Sequence, residues 1–486
     1  MRMRRYGIVL VSAIGFLLPG CMVGPRYVKP SVSVTPNFEE IQESKGRDGW
    51  KVAQPDDDLI RGKWWELYGD PTLNEIEDQV DASNQDLRIA EANLRQARAA
   101  IRFNRASQAP TIGSSPSISH IRVSANQPYF PSSAVNNGTG DFILPLDLSY
   151  EVDLWGRVRR SVAAARQLAQ ASAADLETSR LSLHAEVAVD YFEVRSADAQ
   201  ERLLNDTVKA YTEALRLTQN RFEGGAAPKS DVTQAKTQLE DAKVLASDVT
   251  VQRAQYEHAL AILIGKPPAA FHLAVSPLNL VAPVLPAVPI TLPAQLLERR
   301  PDIAAAERRM ASTNEQIGIA KAAYYPTLNL AASAGLQGSS ILNWFTWPSR
   351  FWAVGPQLSE TLFDAGRRRA TNESARAGYD AAVAGYRQTV LDAFQQVEDN
   401  LVVLRVLSTE SIQQQQATSA AEESLKLFQN RYAGGVDTYL QVVTSQTTAL
   451  TNERNDIDIL RRRLEANVLL IKAMGGGWNI SNLPQL

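Results

Sequence analysis

Cysteine, histidine and aromatic residues are scarce in this sequence. Its 486 residues contain one cysteine and four histidines, and the histidines lack metal-ligand spacing, so we expect neither a disulfide framework nor a metal site. A formal net charge of −3 offers no basic face for nucleic acid. No catalytic triad, Cys-His pair or phosphate-binding glycine loop stands out, so we expect no enzyme and no cofactor beyond covalent lipid.

Proline and glycine are missing from two long stretches. Between Gly156 and Gly224 there is neither, and between Gly366 and Gly434 there is no proline and only two glycines. At 1.5 Å per residue, each stretch forms a helix of about 100 Å. The first stretch ends at Gly224 and Gly225. On both sides of these two glycines, apolar and small residues recur at alternating steps of four and three. This pattern predicts antiparallel coiled-coil hairpins with left-handed supercoiling.

The two halves of the sequence are copies of each other. Residues 217–265 align with 427–475 without a gap, at an offset of 210. Further upstream the offset is 216, as for Pro110 and Pro326. Such a unit is far longer than the roughly 20–50 residues of a solenoid repeat. We therefore predict an internally duplicated chain, with variable length confined to a loop-bearing segment before Gly156.

Each copy carries the motif Asn-Arg-aromatic-x-Gly-Gly where its long helix ends. A glycine pair at this place indicates a tight turn that other residues adopt poorly. Two interpretations remain open, a turn alone or a turn that also docks a partner. The motif residues are Asn220, Arg221, Gly224 and Gly225 in the first copy and Asn430, Arg431, Gly434 and Gly435 in the second.

Upstream of each long helix, a shorter helix is followed by strands. Helical patterns cover about 73–108 and 292–325, and alternation of apolar and polar residues then covers about 111–155 and 327–363. Each strand region holds two strands of about ten to thirteen residues, which is the length and period typical of a transmembrane β-strand.

Four strands in a membrane leave two unpaired edges. Each unsatisfied backbone group in lipid costs several kcal/mol, so the edges must pair with other copies of the chain. A trimer supplies a 12-stranded β-barrel, within the range of known outer-membrane barrels. The same trimer places 12 helical arms in an α-barrel below it. The predicted fold is thus mainly α with a transmembrane β part.

The N-terminus has the layout of a secretory signal. Basic residues at positions 2, 4 and 5 precede an apolar run that ends at Leu18, and the only cysteine, Cys21, follows. The apolar run is too short to span a membrane as a mature helix. Ending at Cys21, the segment resembles a bacterial lipobox, in which that cysteine carries lipid. The alternative is a plain signal peptide with an incidental buried cysteine.

The predicted organisation follows from these features. It comprises a signal peptide (1–20), a lipid-anchored extended arm (21–70), a first repeat (71–275) with its tip at about 221–228, a Pro-rich linker (276–291), a second repeat (292–477) with its tip at about 431–437, and a C-terminal tail (478–486).

Several motifs together carry a family resemblance over nearly all of the mature chain. They are Cys21-x-x-Gly24-Pro25-x-Tyr27, Trp64-Trp65-x-x-Tyr68, Arg300-Pro301-Asp302, Asp153-x-x-Gly156-Arg157, Phe363-Asp364-x-Gly366-Arg367 and the two glycine tips. The chain resembles the TolC-like outer-membrane factors of tripartite efflux pumps. Within them it is similar to the NodT-like lipoprotein branch that serves resistance-nodulation-division transporters.

The resemblance implies a function. It implies a homotrimeric, lipid-anchored channel in the bacterial outer membrane that passively conducts drugs or other small toxic compounds. Its partners would be a periplasmic adaptor protein, docked at the glycine tips, and an inner-membrane resistance-nodulation-division transporter. Two alternatives are the outer-membrane conduit of a type I protein secretion system and a periplasmic helical adaptor lipoprotein.

The resemblance also implies a gate just after the second glycine turn. Relatives carry a ring of aspartates there, and the matching positions are Gln441 and Thr444, while Leu440 matches a hydrophobic collar that excludes water when closed. Asp437 and Asp231 are candidates for restoring negative potential. An ordinary role at a helix start, favoured by the helix dipole, is the alternative for both aspartates.

Overall fold

A computed structural model describes residues 22–40, 51–52, 62–124, 138–279, 285–286, 289–290 and 293–485. The predicted signal peptide and Cys21 lie outside the described residues. In chain order, the structure contains β1 (Lys51–Val52), α1 (Pro71–Ser83), α2 (Gln85–Ala106), β2 (Thr111–Gly113), β3 (Ser117–Ile121), β4 (Thr139–Val152), α3 (Arg157–Glu223), α4 (Lys229–Leu263), β5 (Pro289–Ile290), α5 (Pro293–Arg299), α6 (Pro301–Ala322), β6 (Thr327–Gly338), α7 (Ile341–Trp344), β7 (Arg350–Ser359), α8 (Arg367–Ala433) and α9 (Tyr439–Ala473).

Two helical hairpins of equal dimensions contain the longest elements of the chain. Helices α3 and α8 each have 67 residues, and α4 and α9 each have 35. Buried side chains recur on the facing sides of each hairpin, such as Leu204 against Val249 in the first. Among the described residues, no helix is both long and apolar enough to cross a membrane.

Five of the described strands form one antiparallel sheet that joins the two repeats, whereas β1 and β5 pair with each other in parallel. The order of the antiparallel sheet is β2, β4, β6, β7, and β3 also pairs with β4. The pairing of β4 with β6, from Phe142 opposite Gly338 to Val152 opposite Leu328, crosses from one repeat to the other. The exposed edges are therefore formed by β2 and β3 on one side and by β7 on the other.

The first of the four predicted strands is broken into β2 and β3. Pro116 lies between them and lacks the N–H that a continuous ladder requires. Ser114 bridges the interruption, since its hydroxyl donates to the carbonyl of Pro145 at 2.6 Å. The sheet thus has five strand segments in four positions, and the prediction of four continuous strands was wrong here.

Each shorter helix is also divided in two, unlike the single helices that we predicted. Asn84 ends α1 and caps α2, where its Oδ1 accepts from the Leu87 N–H at 2.9 Å and its Nδ2 donates to the Leu263 carbonyl at 2.8 Å. In the second copy, Pro301 disfavours helical backbone at Arg300, which separates α5 from α6.

The N-terminal arm is fixed by buried aromatic residues. Trp64, Trp65 and Tyr68 form a 3₁₀ turn within the main apolar core, and the Tyr68 hydroxyl donates to Asn467 Oδ1 at 2.7 Å. At the start of the arm, the Val23 N–H donates to the Trp155 carbonyl at 3.1 Å. The arm therefore reaches from the core to the junction between strand β4 and helix α3.

Candidate gate and docking site at the hairpin tips

Both glycine tips have the same backbone geometry. Gly225 is left-handed with φ of 73°, its N–H donates to the Phe222 carbonyl at 3.0 Å, and the Ala226 N–H donates to the Arg221 carbonyl at 2.7 Å. This pair of bonds is the Schellman ending of a helix, and it satisfies carbonyls that the helix leaves unpaired. Gly435 repeats it with φ of 74°. Glycine is required at both positions because a side chain there would be strained.

The two tip arginines have different partners. Nη1 of Arg221 donates to the carbonyls of Tyr432 at 2.7 Å and Ala433 at 3.1 Å, which end helix α8 in the other repeat. Its guanidinium also lies 4.6 Å from the centre of the Tyr432 ring. A cation at the negative end of a helix is electrostatically favoured. Arg221 therefore links the two tips of one chain.

Arg431 instead binds within its own tip. Its Nε and Nη2 donate to the two carboxylate oxygens of Asp437 at 2.5 and 3.2 Å. The hydrogen bond from Arg431 lowers the pKa of Asp437. The first copy has Ala227 at the position of Asp437, so Arg221 has no such acid in its own tip. Asp437 is not the cap of α9, because that helix begins after Thr438. Its negative charge is paired with Arg431.

Two tyrosines fill the space between the tips. The rings of Tyr432 and Tyr439 are buried, with centres 5.1 Å apart, and they pack with Ala235 and Val442. Burial raises the pKa of Tyr439 to about 12. The Tyr432 hydroxyl donates to Asp231 Oδ2 at 3.4 Å, which connects α8 to the first turn of α4.

Three predicted gate residues share one exposed face of α9. Leu440 is 55% exposed, Gln441 and Thr444 are also exposed, and the Thr444 hydroxyl donates to the Leu440 carbonyl at 2.9 Å. The structure thus brings these three side chains together, whereas Asp231 is bonded to Tyr432 and Asp437 to Arg431. The face is polar except for Leu440.

The predicted docking residues surround the turns and are open to solvent. Asn220, Asn430 and all four tip glycines are exposed. A Cβ added to Gly225 would meet no atom within 4 Å, and at Gly435 it would meet only Arg221, at 3.9 Å. The backbone of both tips is therefore accessible to an approaching partner.

A family model matches both repeats of the chain. The model described as outer membrane efflux protein aligns with residues 77–266 and again with 292–476. The chain belongs to this family. The two separate matches agree with the internal duplication, and they confirm the predicted TolC-like family.

Relatives of this outer membrane efflux protein match it from end to end. The antibiotic efflux pump outer membrane protein ArpC of Pseudomonas putida is 31% identical over 472 residues, covering 97% of this chain and 96% of that protein. The toluene efflux pump outer membrane protein TtgC of Pseudomonas putida gives the same figures. A solved structure of the outer-membrane channel OprN is 28% identical, with a TM-score of 0.86, and covers 94% of this chain and 100% of that one.

Sequence reasoning did not single out the tyrosine cluster of this efflux protein. Tyr432 was read only as the aromatic of the repeated motif. A usable signal was the difference between the copies, since Phe222 and Lys229 stand where the second copy has Tyr432 and Tyr439. Phe222 therefore lacks the hydroxyl with which Tyr432 donates to Asp231.

Proposed function

We propose that this protein is the outer-membrane channel of a tripartite efflux pump, acting as a homotrimer that conducts small toxic compounds out of the cell. The observation that carries the proposal is the match of both repeats, over nearly the whole chain, to efflux pump outer membrane proteins. Relatives named for antibiotics and for toluene favour small organic cargo over secreted protein.

The trimer is supported by the sheet edges. Within the chain, the second strand position of repeat one, β4, pairs with the first strand position of repeat two, β6. Repeating that step pairs β7 with β2 and β3 of the next copy, and three copies close a ring without leaving an edge in lipid.

The helices support the same arrangement. Helix α6 packs against α8 of its own repeat through Met310, and its other face is buried against α3, where Ala305 is fully buried. The equivalent of Ala305 on α2 is Ile89, which is 58% exposed. A second copy that offers its α8 to this face of α2 would cover Ile89 as α3 covers Ala305.

Docking of an adaptor protein at the tips is supported by their open backbone. Gly224, Gly225, Gly434 and Gly435 present exposed backbone at the end of each hairpin, and Asn220 and Asn430 offer exposed side-chain amides beside it. Glycine permits close approach of a partner chain. A trimer would present six such tips of two alternating kinds to the adaptor, which connects the channel to an inner-membrane resistance-nodulation-division transporter.

A lipid anchor on Cys21 is supported by the position of the residues after it. Val23 is bonded to Trp155, and Met22 lies against Gly156, at the lower end of strand β4. An acyl chain on Cys21 would start close to the level at which the strands end. The cysteine would thus carry the only covalent group that the proposal requires.

Reconstitution tests the proposed channel directly. Purified protein is added to planar lipid bilayers, and the gene is expressed together with a compatible adaptor and transporter in a bacterium that lacks its own outer-membrane component. We expect ion currents in the bilayer and restored resistance to toluene or antibiotics. The proposal fails if the protein inserts without conducting, or if the strain secretes a protein substrate while remaining sensitive.

A further inference from the structure

Arginines crowd the start of α8, just below strand β7. Arg367, Arg368 and Arg369 form its first residues, where the positive end of the helix dipole disfavours cations. Arg368 is satisfied, since its Nε donates to Asp364 Oδ2 at 2.7 Å and its guanidinium lies 5.5 Å from the Tyr324 ring centre. Arg367 and Arg369 are exposed and their side chains form no hydrogen bond or ion pair with the part of the chain that the structure describes. We refer to these two as the unpaired arginines.

The first repeat neutralises the same two positions. At the offset of 210 the unpaired arginines correspond to Arg157 and Arg159. Arg157 pairs with Glu151 at 2.6 Å, and Arg159 pairs with Asp153 at 3.1 Å. The first repeat therefore shows the same junction with its arginines paired to acids, and it can be compared directly with the second repeat.

At the offset of 210, neither acid keeps its position in the second repeat, and the adjacent acid, Asp364, pairs with Arg368 instead. The positions equivalent to Glu151 and Asp153 hold Thr361 and Phe363. Glu360 and Glu373 are near in sequence, but neither forms an ion pair with the unpaired arginines in the described structure. Among the described residues, two positive charges at this junction are thus left without an ion-pair partner.

The surroundings of these charges have the composition of a membrane interface. Leu362 is 89% exposed and Phe363 is 86% exposed. At the corresponding end of β4, Trp155 stacks on Tyr325 with ring centres 4.6 Å apart. Aromatic residues concentrate where hydrocarbon meets headgroups. The unpaired arginines lie at this level, next to exposed apolar side chains.

We propose that Arg367 and Arg369 bind the phosphate-bearing headgroup of an anionic phospholipid in the periplasmic leaflet, with Leu362 and Phe363 against its acyl chains. The guanidinium group matches phosphate in charge and in the geometry of its donors. The site rests on the proposed function, because it requires the strands to span the outer membrane. We expect assembly to leave it accessible, because Arg157 and Arg159 keep 43% and 34% side-chain exposure although the second repeat packs beside them.

Lipid selectivity tests the site. Full-length protein is placed in nanodiscs of phosphatidylglycerol and phosphatidylethanolamine in equal amounts, and the lipids that stay bound are counted by native mass spectrometry. We expect wild type to retain phosphatidylglycerol preferentially, and Arg367→Gln with Arg369→Gln to lower that preference by about fivefold for each arginine removed. Thr361→Glu restores the acid that pairs with Arg157 in the first repeat. It should lower the preference for phosphatidylglycerol although both arginines are present.

A matched double variant controls for lost charge. Arg387 and Lys426 are exposed on the same helix and further from the strands, so Arg387→Gln with Lys426→Gln should leave the preference unchanged. Equal retention of the two lipids by wild type, or an unchanged preference in the Arg367 and Arg369 variant, overturns the site. Binding of inorganic phosphate by wild type that shows no preference between the two lipids would assign the site to free phosphate and also overturns the proposal. Normal wild-type currents without a lipid preference would reject this site and leave the channel intact.

Discussion

Equivalent residues of the two repeats have different partners at the tips. Arg221 bonds across to the end of α8, whereas Arg431 pairs with Asp437 next to it. The exposed ion pair of Arg431 contributes little to stability, since solvent screens it. Arg221 is half-buried, stacks on Tyr432 and holds two carbonyls. Of the two arginines, Arg221 is the one that connects the hairpins.

Leu440 is the residue at which we test the predicted hydrophobic gate. A single exposed apolar side chain on a polar helix face can exclude water when three copies meet on an axis. We expect Leu440→Ser to raise single-channel conductance in planar bilayers by about twofold or more, because a hydroxyl permits wetting of the constriction. Leu427, which is equally exposed at 55%, supplies the control Leu427→Ser. An unchanged conductance in Leu440→Ser would remove Leu440 from the gate.

A buried histidine makes stability depend on pH. Burial alone would lower the pKa of His184, but the carboxylates of Asp81, 3.6 Å from Nε2, and Glu77, 2.7 Å from Nδ1, outweigh burial and raise it to about 8. Because the folded protein binds this proton more tightly than the unfolded chain, its stabilisation is complete below pH 6.5. It is lost as the pH rises to about 8, which amounts to about 2 kcal/mol in the free energy of unfolding.

The measurement is the unfolding midpoint in detergent between pH 6 and pH 9, a range set by the reference and raised pKa values of His184. The double variant Glu77→Gln with His184→Gln removes the histidine together with Glu77, whose pKa burial raises to about 7, and should show a flatter curve than wild type. His258 is exposed, so His258→Gln should keep the wild-type slope. Parallel curves for wild type and the double variant would refute the assignment.

At the scale of elements, one buried carboxylate joins the first hairpin to the segment that follows it. Asp198 on α3 is fully buried and accepts from Arg253 Nε on α4 at 2.6 Å, from Arg195 at 3.2 Å and from the Ser276 N–H at 2.9 Å. Arg253 also donates to the Leu273 carbonyl at 2.7 Å. Arg253 is therefore held between the buried carboxylate of Asp198 and the backbone of the following segment.

Removing this carboxylate should weaken the whole hairpin. Asp198→Ala leaves two arginines without their buried partner, and we expect it to lower the free energy of unfolding by about 3–5 kcal/mol. Asp248 is exposed on α4, and Asp248→Ala should stay within about 0.5 kcal/mol of wild type. Denaturant unfolding of the three proteins measures the difference. Similar midpoints for both variants would show that Asp198 is not a structural link.

At the scale of the whole molecule, the exposed face of α2 predicts assembly. Ile89→Arg places a charge where a second copy should bury an apolar side chain, so we expect loss of the trimer in detergent, measured by light scattering after gel filtration. Leu342 is 91% exposed in the segment between β6 and β7, and Leu342→Arg should remain trimeric. A trimeric Ile89→Arg protein would contradict the proposed packing of α2.

The sequence by itself determined the duplication, the long helices, the strand regions and the turns. Glycine, proline and periodic apolar residues act on the backbone within a few positions, so these features can be read locally. That is why the tips at Gly225 and Gly435 were predicted at the correct residues. The helix break at Asn84 and the strand break at Pro116 were not predicted. An apolar pattern averaged over many residues does not reveal one capping side chain or one missing N–H donor.

Only the tertiary structure decided which partner each side chain meets. Two copies of one motif have the same local backbone, but their neighbours come from distant segments, and only those contacts separate Arg221 from Arg431 or pair Tyr432 with Asp231. The same holds for Arg367 and Arg369, which have no ion-pair partner among the described residues, whereas their counterparts in the first repeat are paired. Local forces fix the elements, whereas long-range packing and charge fix what their surfaces bind.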